Sequence, residues 1–164
     1  MSALVTIVMG STSDWETMQH CRQTLLDLQV EADVRVLSAH RTPDELADFV
    51  RQQEDDGCRV FIAGAGGAAA LPGAVAALTP RPVLGVPIQA WALDGLDSLL
   101  SMAQMPKGIP VATFAIGKAG AINAAIFAVQ ILAASSELLA TAIVEYRRVQ
   151  KEAVLAAPDP AQTT

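Results

Sequence analysis

The amino-acid sequence predicts a single-domain, three-layer α/β/α fold with a five-stranded parallel sheet, and three observations carry that prediction. Short, continuous apolar runs alternate with helix-patterned segments from end to end. Such runs mark strands covered on both faces, as crossover helices cover a parallel sheet. The 164 residues suit one domain able to bury about two-thirds or more of its unfolded surface. Neither an internal repeat nor a linker interrupts the alternation, so residues 1–157 are read as one α/β domain. Residues 158–164, with Pro158, Asp159 and Pro160, are read as a disordered tail.

Residues 4–9 form the first expected strand, and the helix after it places Trp15, Met18, Leu25 and Leu28 on one side. Ser13 and Glu16 have the spacing of a capping box at its start. A second strand over 33–37 leads to a helix that turns Leu46, Phe49 and Val50 inward. Thr42 as cap, Pro43 at the first helical position and Glu45 three residues after the cap mark where that helix begins. Strands over 59–63, 82–86 and 111–116 follow, separated by helices over 71–78 and 96–102. Helices over 118–134 and 137–154 complete the chain. Crossovers of this kind are right-handed, and in the flavodoxin- or Rossmann-like strand order the first two strands are neighbours.

Composition restricts the function classes. Hydrophobic residues make up 52% of the chain and charged residues 17%, against a usual charged share of about a quarter. So few charges imply subunit interfaces hidden in an oligomer. The net charge of −6 and the lack of any Lys/Arg run argue against nucleic acid, whose binding rests on neutralising phosphates. The most apolar segment, 119–134, carries Asn123 and Gln130 and is shorter than the roughly 20 residues of a membrane span. It is read as a helix buried on most sides against other subunits, and no membrane partner is expected. Met1-Ser2-Ala3 leads straight into the first strand without a basic head and cleavage site, so no secretion signal is expected and the protein is placed in the cytoplasm. Cys21 and Cys58 lack metal-ligand spacing and fall where apolar side chains pack. They are read as buried thiols, with no metal site.

The chemistry concentrates in Ser38-Ala39-His40-Arg41-Thr42-Pro43, where an apolar strand hands over to a helix. In doubly wound sheets, ligands bind outside the carboxyl ends of the strands, and helix N-termini there offer unpaired N–H groups to anions. An imidazole beside a guanidinium at that place suits a phosphorylated small molecule, with Arg41 as anchor against the overall negative field. Gly10-Ser11-Thr12-Ser13-Asp14 closes the first strand. Its hydroxyls can donate to phosphate, and Asp14 can accept from ribose hydroxyls. The third strand opens into Ala63-Gly64-Ala65-Gly66-Gly67-Ala68-Ala69-Ala70-Leu71, whose small side chains let a ligand approach the backbone and leave amides for a carboxylate or carbon dioxide. This segment follows the third strand and lacks the acidic residue about 20 positions on that a dinucleotide fingerprint requires. A nicotinamide cofactor is rejected.

These motifs, together with Leu84-Gly85-Val86-Pro87, Asp97-Ser98-Leu99-Leu100-Ser101, Gln104-Met105-Pro106, Pro110-Val111-Ala112-Thr113 and Ala115-Ile116-Gly117-Lys118-Ala119-Gly120-Ala121, resemble the class I N5-carboxyaminoimidazole ribonucleotide mutases of purine biosynthesis. The resemblance runs in order over nearly the whole chain. It implies conversion of N5-carboxyaminoimidazole ribonucleotide to 4-carboxy-5-aminoimidazole ribonucleotide on the route to IMP, without metal or cofactor, in a homo-octamer. It makes His40 the catalytic general acid and base, and Ser11, Ser13, Asp14, Ser38 and Arg41 substrate contacts around ribose and phosphate. Ala65, Gly66, Ala68 and Leu71 of the glycine-rich segment complete the implied substrate site. The mechanism that the resemblance implies has carbon dioxide leaving the exocyclic nitrogen, staying trapped beside that segment and being attacked by the ring carbon. An imidazole, with an ordinary pKa near about 6.5, suits the one-proton shuttle this requires.

One departure from the family pattern stands out, because the glycine-rich segment ordinarily continues with His where this chain has Ala70. His20 and His40 are then its only histidines, and His20, in the first helix, is read as a surface or boundary residue. Trp91 lies where the family tolerates variety and is read as an interface contact in preference to a pocket wall. Two other functions compete with the mutase. One is a related carboxylase that adds free carbon dioxide to aminoimidazole ribonucleotide, whose members carry Lys in place of Arg41 and lack the full Gly-Gly-Ala-Ala stretch. The other is a non-catalytic nucleotide- or flavin-binding module, including a nucleotide binder impaired by Ala70.

Overall fold

The computed structural model describes residues 3–159 and 161. Of the expected tail, residues 160 and 162–164 lie outside the described residues. Five parallel strands, β1 (Val5–Met9), β2 (Ala32–Val36), β3 (Val60–Gly66), β4 (Val83–Ile88) and β5 (Ala112–Thr113), form one sheet in the order β2-β1-β3-β4-β5. Helices α1 (Trp15–Asp27), α2 (Pro43–Asp55), α3 (Ala70–Leu78) and α4 (Leu96–Ala103) follow the first four strands in turn, and α5 (Lys118–Ala133) and α6 (Glu137–Leu155) close the chain. The predicted fold class and strand order are thus observed.

Side chains alternate across a strand, and the two faces of the sheet hold two cores. Val5, Ile7 and Met9 of β1 join Met18, Cys21 and Leu25 of α1 and Ala121, Ala125 and Ala128 of α5. Val8, on the other face, joins Phe61 and Ala63 of β3, Leu46 and Val50 of α2, Val75 of α3 and Met102 of α4. Phe61, Ile7 and Met18 are fully buried, each stabilising the fold by about 1.5–3 kcal/mol through removal from water. Thr6 shares the Val8 face, where burial of its hydroxyl is offset by a 2.6 Å hydrogen bond donated to Gln53 Oε1 of α2. Cys21 and Cys58 are buried free thiols, and burial pushes both upward in pKa.

The structure corrects the expected fold in four places. The last strand shrinks from the expected 111–116 to Ala112–Thr113, although the chain stays beside β4 through bonds from Phe114 N to Gly85 O (2.9 Å) and Gly117 N to Pro87 O (2.8 Å). The second strand is an edge and is not covered on both faces. Asp33, Arg35 and Val36 are exposed, and the Arg35 guanidinium lies 5.4 Å from the centre of the Phe49 ring. Charge on an edge strand discourages pairing with another chain. Trp15, expected inward, is 37% exposed because α1 starts with it at the sheet end. Finally, the alanine-rich α5 buries one side within its own chain, against α1 and α6, while Asn123 and Phe127 on its other side are exposed. Small side chains permit that close packing, and a Cβ on Gly120 would stand 1.7 Å from Ala115 O.

Candidate active site

The segments after β1, β2, β3 and β4 meet outside the carboxyl ends of the strands, around a cavity of about 520 Å³. The chain crosses from one side of β1 to the other between β2 and β3, and such a switch point opens the crevice. Ser11, Ser13, Asp14, Ser38, His40, Arg41, Ala65, Gly66, Ala68 and Leu71, the ten residues singled out in the sequence, all line it. Gly10, Ala39, Ala69, Ala70, Ala90 and Trp91 line it too.

After β1 the chain makes a 3-10 turn, Thr12–Asp14, before α1 begins. The capping box therefore sits two residues earlier than Ser13 and Glu16 suggested. The Ser11 backbone N–H donates to Asp14 Oδ2 (3.0 Å), while Ser11 Oγ accepts from the Ser13 N–H (3.3 Å) and the Ser13 hydroxyl (2.9 Å). Asp14 is 8% exposed. Desolvation pushes its carboxyl above the ordinary range, opposed by the backbone N–H groups of Ser11 and Gly10.

The loop after β2 is tied to the first by the Leu37 N–H, which donates to Met9 O over 2.9 Å. Thr42 occupies the cap position of α2 but its hydroxyl does not cap. It accepts from the Ser38 N–H (2.9 Å) and donates to Ser38 O (3.1 Å), closing the turn that holds His40 and Arg41. Ser38 Oγ accepts from the backbone N–H groups of His40 (3.4 Å) and Arg41 (3.2 Å) and from Arg41 Nε (3.4 Å). The His40 ring has no hydrogen-bond partner among the described residues, which leaves both nitrogens open to a ligand.

The third side is the glycine-rich turn. Gly67 (φ 63°) and Ala69 (φ 39°) both take left-handed backbone, bending the chain sharply from β3 into α3. With Ala69 at the cap position and no side-chain cap, the first N–H groups of α3 lack intrahelical partners and face an anion favourably. Ala70 opens this helix, half-buried in the cavity wall.

Trp91 closes the fourth side, where the sequence reading preferred an interface. Its indole stands so close to Gly67 that a Cβ there would lie 2.2 Å from Cζ3. The signal that could have placed it was the pairing of that glycine with a bulky residue just beyond the next strand. His20, half-buried in α1, is not among the lining residues.

The cavity thus combines a guanidinium, an unengaged imidazole, a buried carboxylate, three serine hydroxyls and unpaired helix N–H groups. Such a set can hold a phosphate and sugar hydroxyls and move a proton.

Residues 4–153 match the family model described as AIR carboxylase. The chain is 56% identical over 158 residues to the N5-carboxyaminoimidazole ribonucleotide mutase of Brucella melitensis, covering 96% of this chain and 98% of that one. It is 54% identical over 159 residues to the enzyme of the same name from Bacillus subtilis, covering 97% and 98%. With that of Escherichia coli K12 it shares 56% over 158 residues, covering 96% and 94%. The crystal structure of Treponema denticola PurE superposes with a TM-score of 0.84 at 26% identity, covering 92% of this chain and 93% of that one.

Proposed function

The chain belongs to the AIR carboxylase family, and on that premise we propose that it is an isomerase converting N5-carboxyaminoimidazole ribonucleotide to 4-carboxy-5-aminoimidazole ribonucleotide in purine biosynthesis. The observation that supports this reading best is the convergence of His40, Arg41, Asp14 and the glycine-rich turn on one cavity, in a chain more than half identical to mutases over nearly its full length.

Arg41 and the hydroxyls of Ser11, Ser13 and Ser38 take the phosphate, and Asp14 accepts from the ribose. The bond from the exocyclic nitrogen to the carboxylate carbon breaks, and its electron pair remains on nitrogen, which takes a proton from His40. The ring carbon then attacks the retained carbon dioxide, and the proton displaced from that carbon returns to His40. One proton is given and one is taken, so neither metal nor cofactor is required. Retention beside Gly66, Gly67 and Ala68 makes recapture effectively intramolecular, where positioning supplies much of the rate.

The reading extends to a cytoplasmic homo-octamer. Leu138, Val144, Val154 and Leu155 of α6 are each at least 68% exposed, and exposed apolar side chains of this size favour association with further copies. No helix among the described residues is long and apolar enough to cross a membrane.

Carboxylate migration on the purified protein tests the reading. Product must form from the N5-carboxy nucleotide without added bicarbonate. Product from aminoimidazole ribonucleotide and bicarbonate alone would assign the carboxylase activity instead, against which Arg41 and the intact Gly66-Gly67-Ala68-Ala69 stretch speak.

A further inference from the structure

Four strand ends supply the cavity walls in the spatial order β2, β1, β3, β4. Their chemistry changes in the same order: Arg41 after β2, Ser11 and Asp14 after β1, the small residues Gly66 to Ala70 after β3, and Trp91 after β4. At about 4.8 Å per strand, this row spans roughly 14 Å. A cation for phosphate, acceptors for ribose and an aromatic surface stand in the order in which a nucleoside monophosphate presents its parts.

Trp91 does little for the fold itself. The residue is 80% exposed and its φ of 57° lies in the left-handed region, which a bulky side chain rarely adopts. Such outliers concentrate at functional sites, where the side chain's task outweighs the conformational cost. The edge of its six-membered ring, Cζ3, Cε3 and Cη2, abuts Gly67, so the indole is steadied against the glycine-rich turn while remaining in the cavity wall. Apart from the His40 imidazole, it is the sole aromatic side chain among the lining residues described.

We propose that Trp91 is a substrate-positioning residue whose indole stacks on the heterocyclic base and covers the space beside the glycine-rich turn. The inference rests on the nucleotide reading given above. In that reaction the indole holds the ring carbon toward the carbon dioxide retained at Gly66 to Ala68, and the cavity orients its ligand along the row of strand ends.

The test uses the full-length protein and 4-carboxy-5-aminoimidazole ribonucleotide as probe. In a Trp15→Phe background, tryptophan emission, excited beyond the absorption of Tyr146, comes from Trp91 alone, and saturable change on adding the nucleotide is expected. Trp91→Ala weakens binding of the probe about 5- to 150-fold, the range of base–aromatic stacking, and raises KM more than it lowers kcat, whereas Trp91→Phe retains most affinity. Unchanged binding by Trp91→Ala while the parent protein binds and turns over would overturn the inference and leave the mutase reading standing. Altered native mass by light scattering with unaltered affinity would also overturn it, assigning Trp91 to a contact between copies. An emission response and weakened Trp91→Ala binding in a parent without carboxylate migration would uphold the stacking role and sink the mutase reading.

Discussion

Arg41 Nη2 donates to the backbone oxygen of Gly10 over 3.1 Å, 31 positions back in the chain. The guanidinium thereby spans the segments after β2 and β1 while its Nε rests on Ser38 Oγ. Side and position are fixed before any ligand arrives, and Arg41 lines the cavity with N–H groups to spare.

Arg41→Ala removes the sole arginine or lysine among the lining residues. One charge-assisted contact is worth about 1.5–3 kcal/mol, so affinity for 4-carboxy-5-aminoimidazole ribonucleotide falls about 10- to 150-fold by calorimetric titration. Arg41→Lys recovers only part of it, because an ammonium lacks the planar fork that reaches Gly10 and a phosphate together. Full affinity in the Lys variant would refute the bridging role.

His40→Asn separates proton transfer from binding. The backbone N–H of residue 40 still reaches Ser38 Oγ, so the turn and the nucleotide affinity persist, while kcat for carboxylate migration drops at least about 100-fold. Substantial turnover in that variant would remove His40 from the proton-transfer role.

Much of this arrangement was legible in the sequence, for a physical reason. β1 and β4 are buried throughout and β3 up to its last residue, Gly66, and continuous apolar runs announce such strands. At their carboxyl ends polar and small residues break those runs, so they stand out as chemistry. What stayed hidden depends on local geometry. Thr42 has the sequence signature of a cap yet spends its hydroxyl on Ser38, and the box at Ser11 and Asp14 displaced the one expected at Ser13 and Glu16 because a 3-10 turn precedes α1. Trp91 was ambiguous since its left-handed backbone has no one-dimensional signal, and the pairing of Gly67 with a bulky residue beyond the next strand is a weak one.

Asp14 sets stability against binding. Its carboxyl is raised, first by desolvation, so the ionised form is penalised in the folded protein. That penalty is complete above the folded pKa, shrinks as pH falls through it, and vanishes below the unfolded value. Asp14→Asn lifts the penalty, and the ligand-free variant melts no lower than the parent at pH 7, the gap closing as the parent is acidified. Nucleotide affinity drops about 10- to 100-fold with the lost charged acceptor. Thermal melts at several pH values check the sign, and a variant markedly less stable at pH 7 would contradict it.

Ala70 is the first residue of α3, in the cavity wall. A histidine there meets the positive end of the helix dipole, which favours the neutral imidazole. It adds a second group able to accept or relay a proton facing His40 across the site. Ala70→His raises kcat about tenfold or more, and Ala70→Gln, of similar reach but without a titrating group, does not. Equal kcat in the parent and the His variant would show that Ala70 costs the protein nothing.

The seat of α1 on the sheet depends on a missing side chain. A Cβ on Gly64, in the middle of β3, would lie 2.6 Å from Met18 Sδ and 2.9 Å from its Cγ, and Met18 is fully buried. Methionine is flexible, but a close-packed interior gives it nowhere to go, so α1 must shift outward. Gly64→Ala therefore costs about 1–3 kcal/mol, seen as a Tm lowered by about 2–4 °C per kcal/mol in a chain of this size. The displacement also reaches the site, since Asp14 leads directly into α1, and nucleotide affinity falls although Gly64 is not among the lining residues. Shortening the methionine in Gly64→Ala/Met18→Val returns space to the new methyl group. The double variant should melt higher than the sum of the two single losses predicts and regain affinity. Strict additivity of the two would mean that Gly64 and Met18 do not share that space and that α1 is held by other contacts.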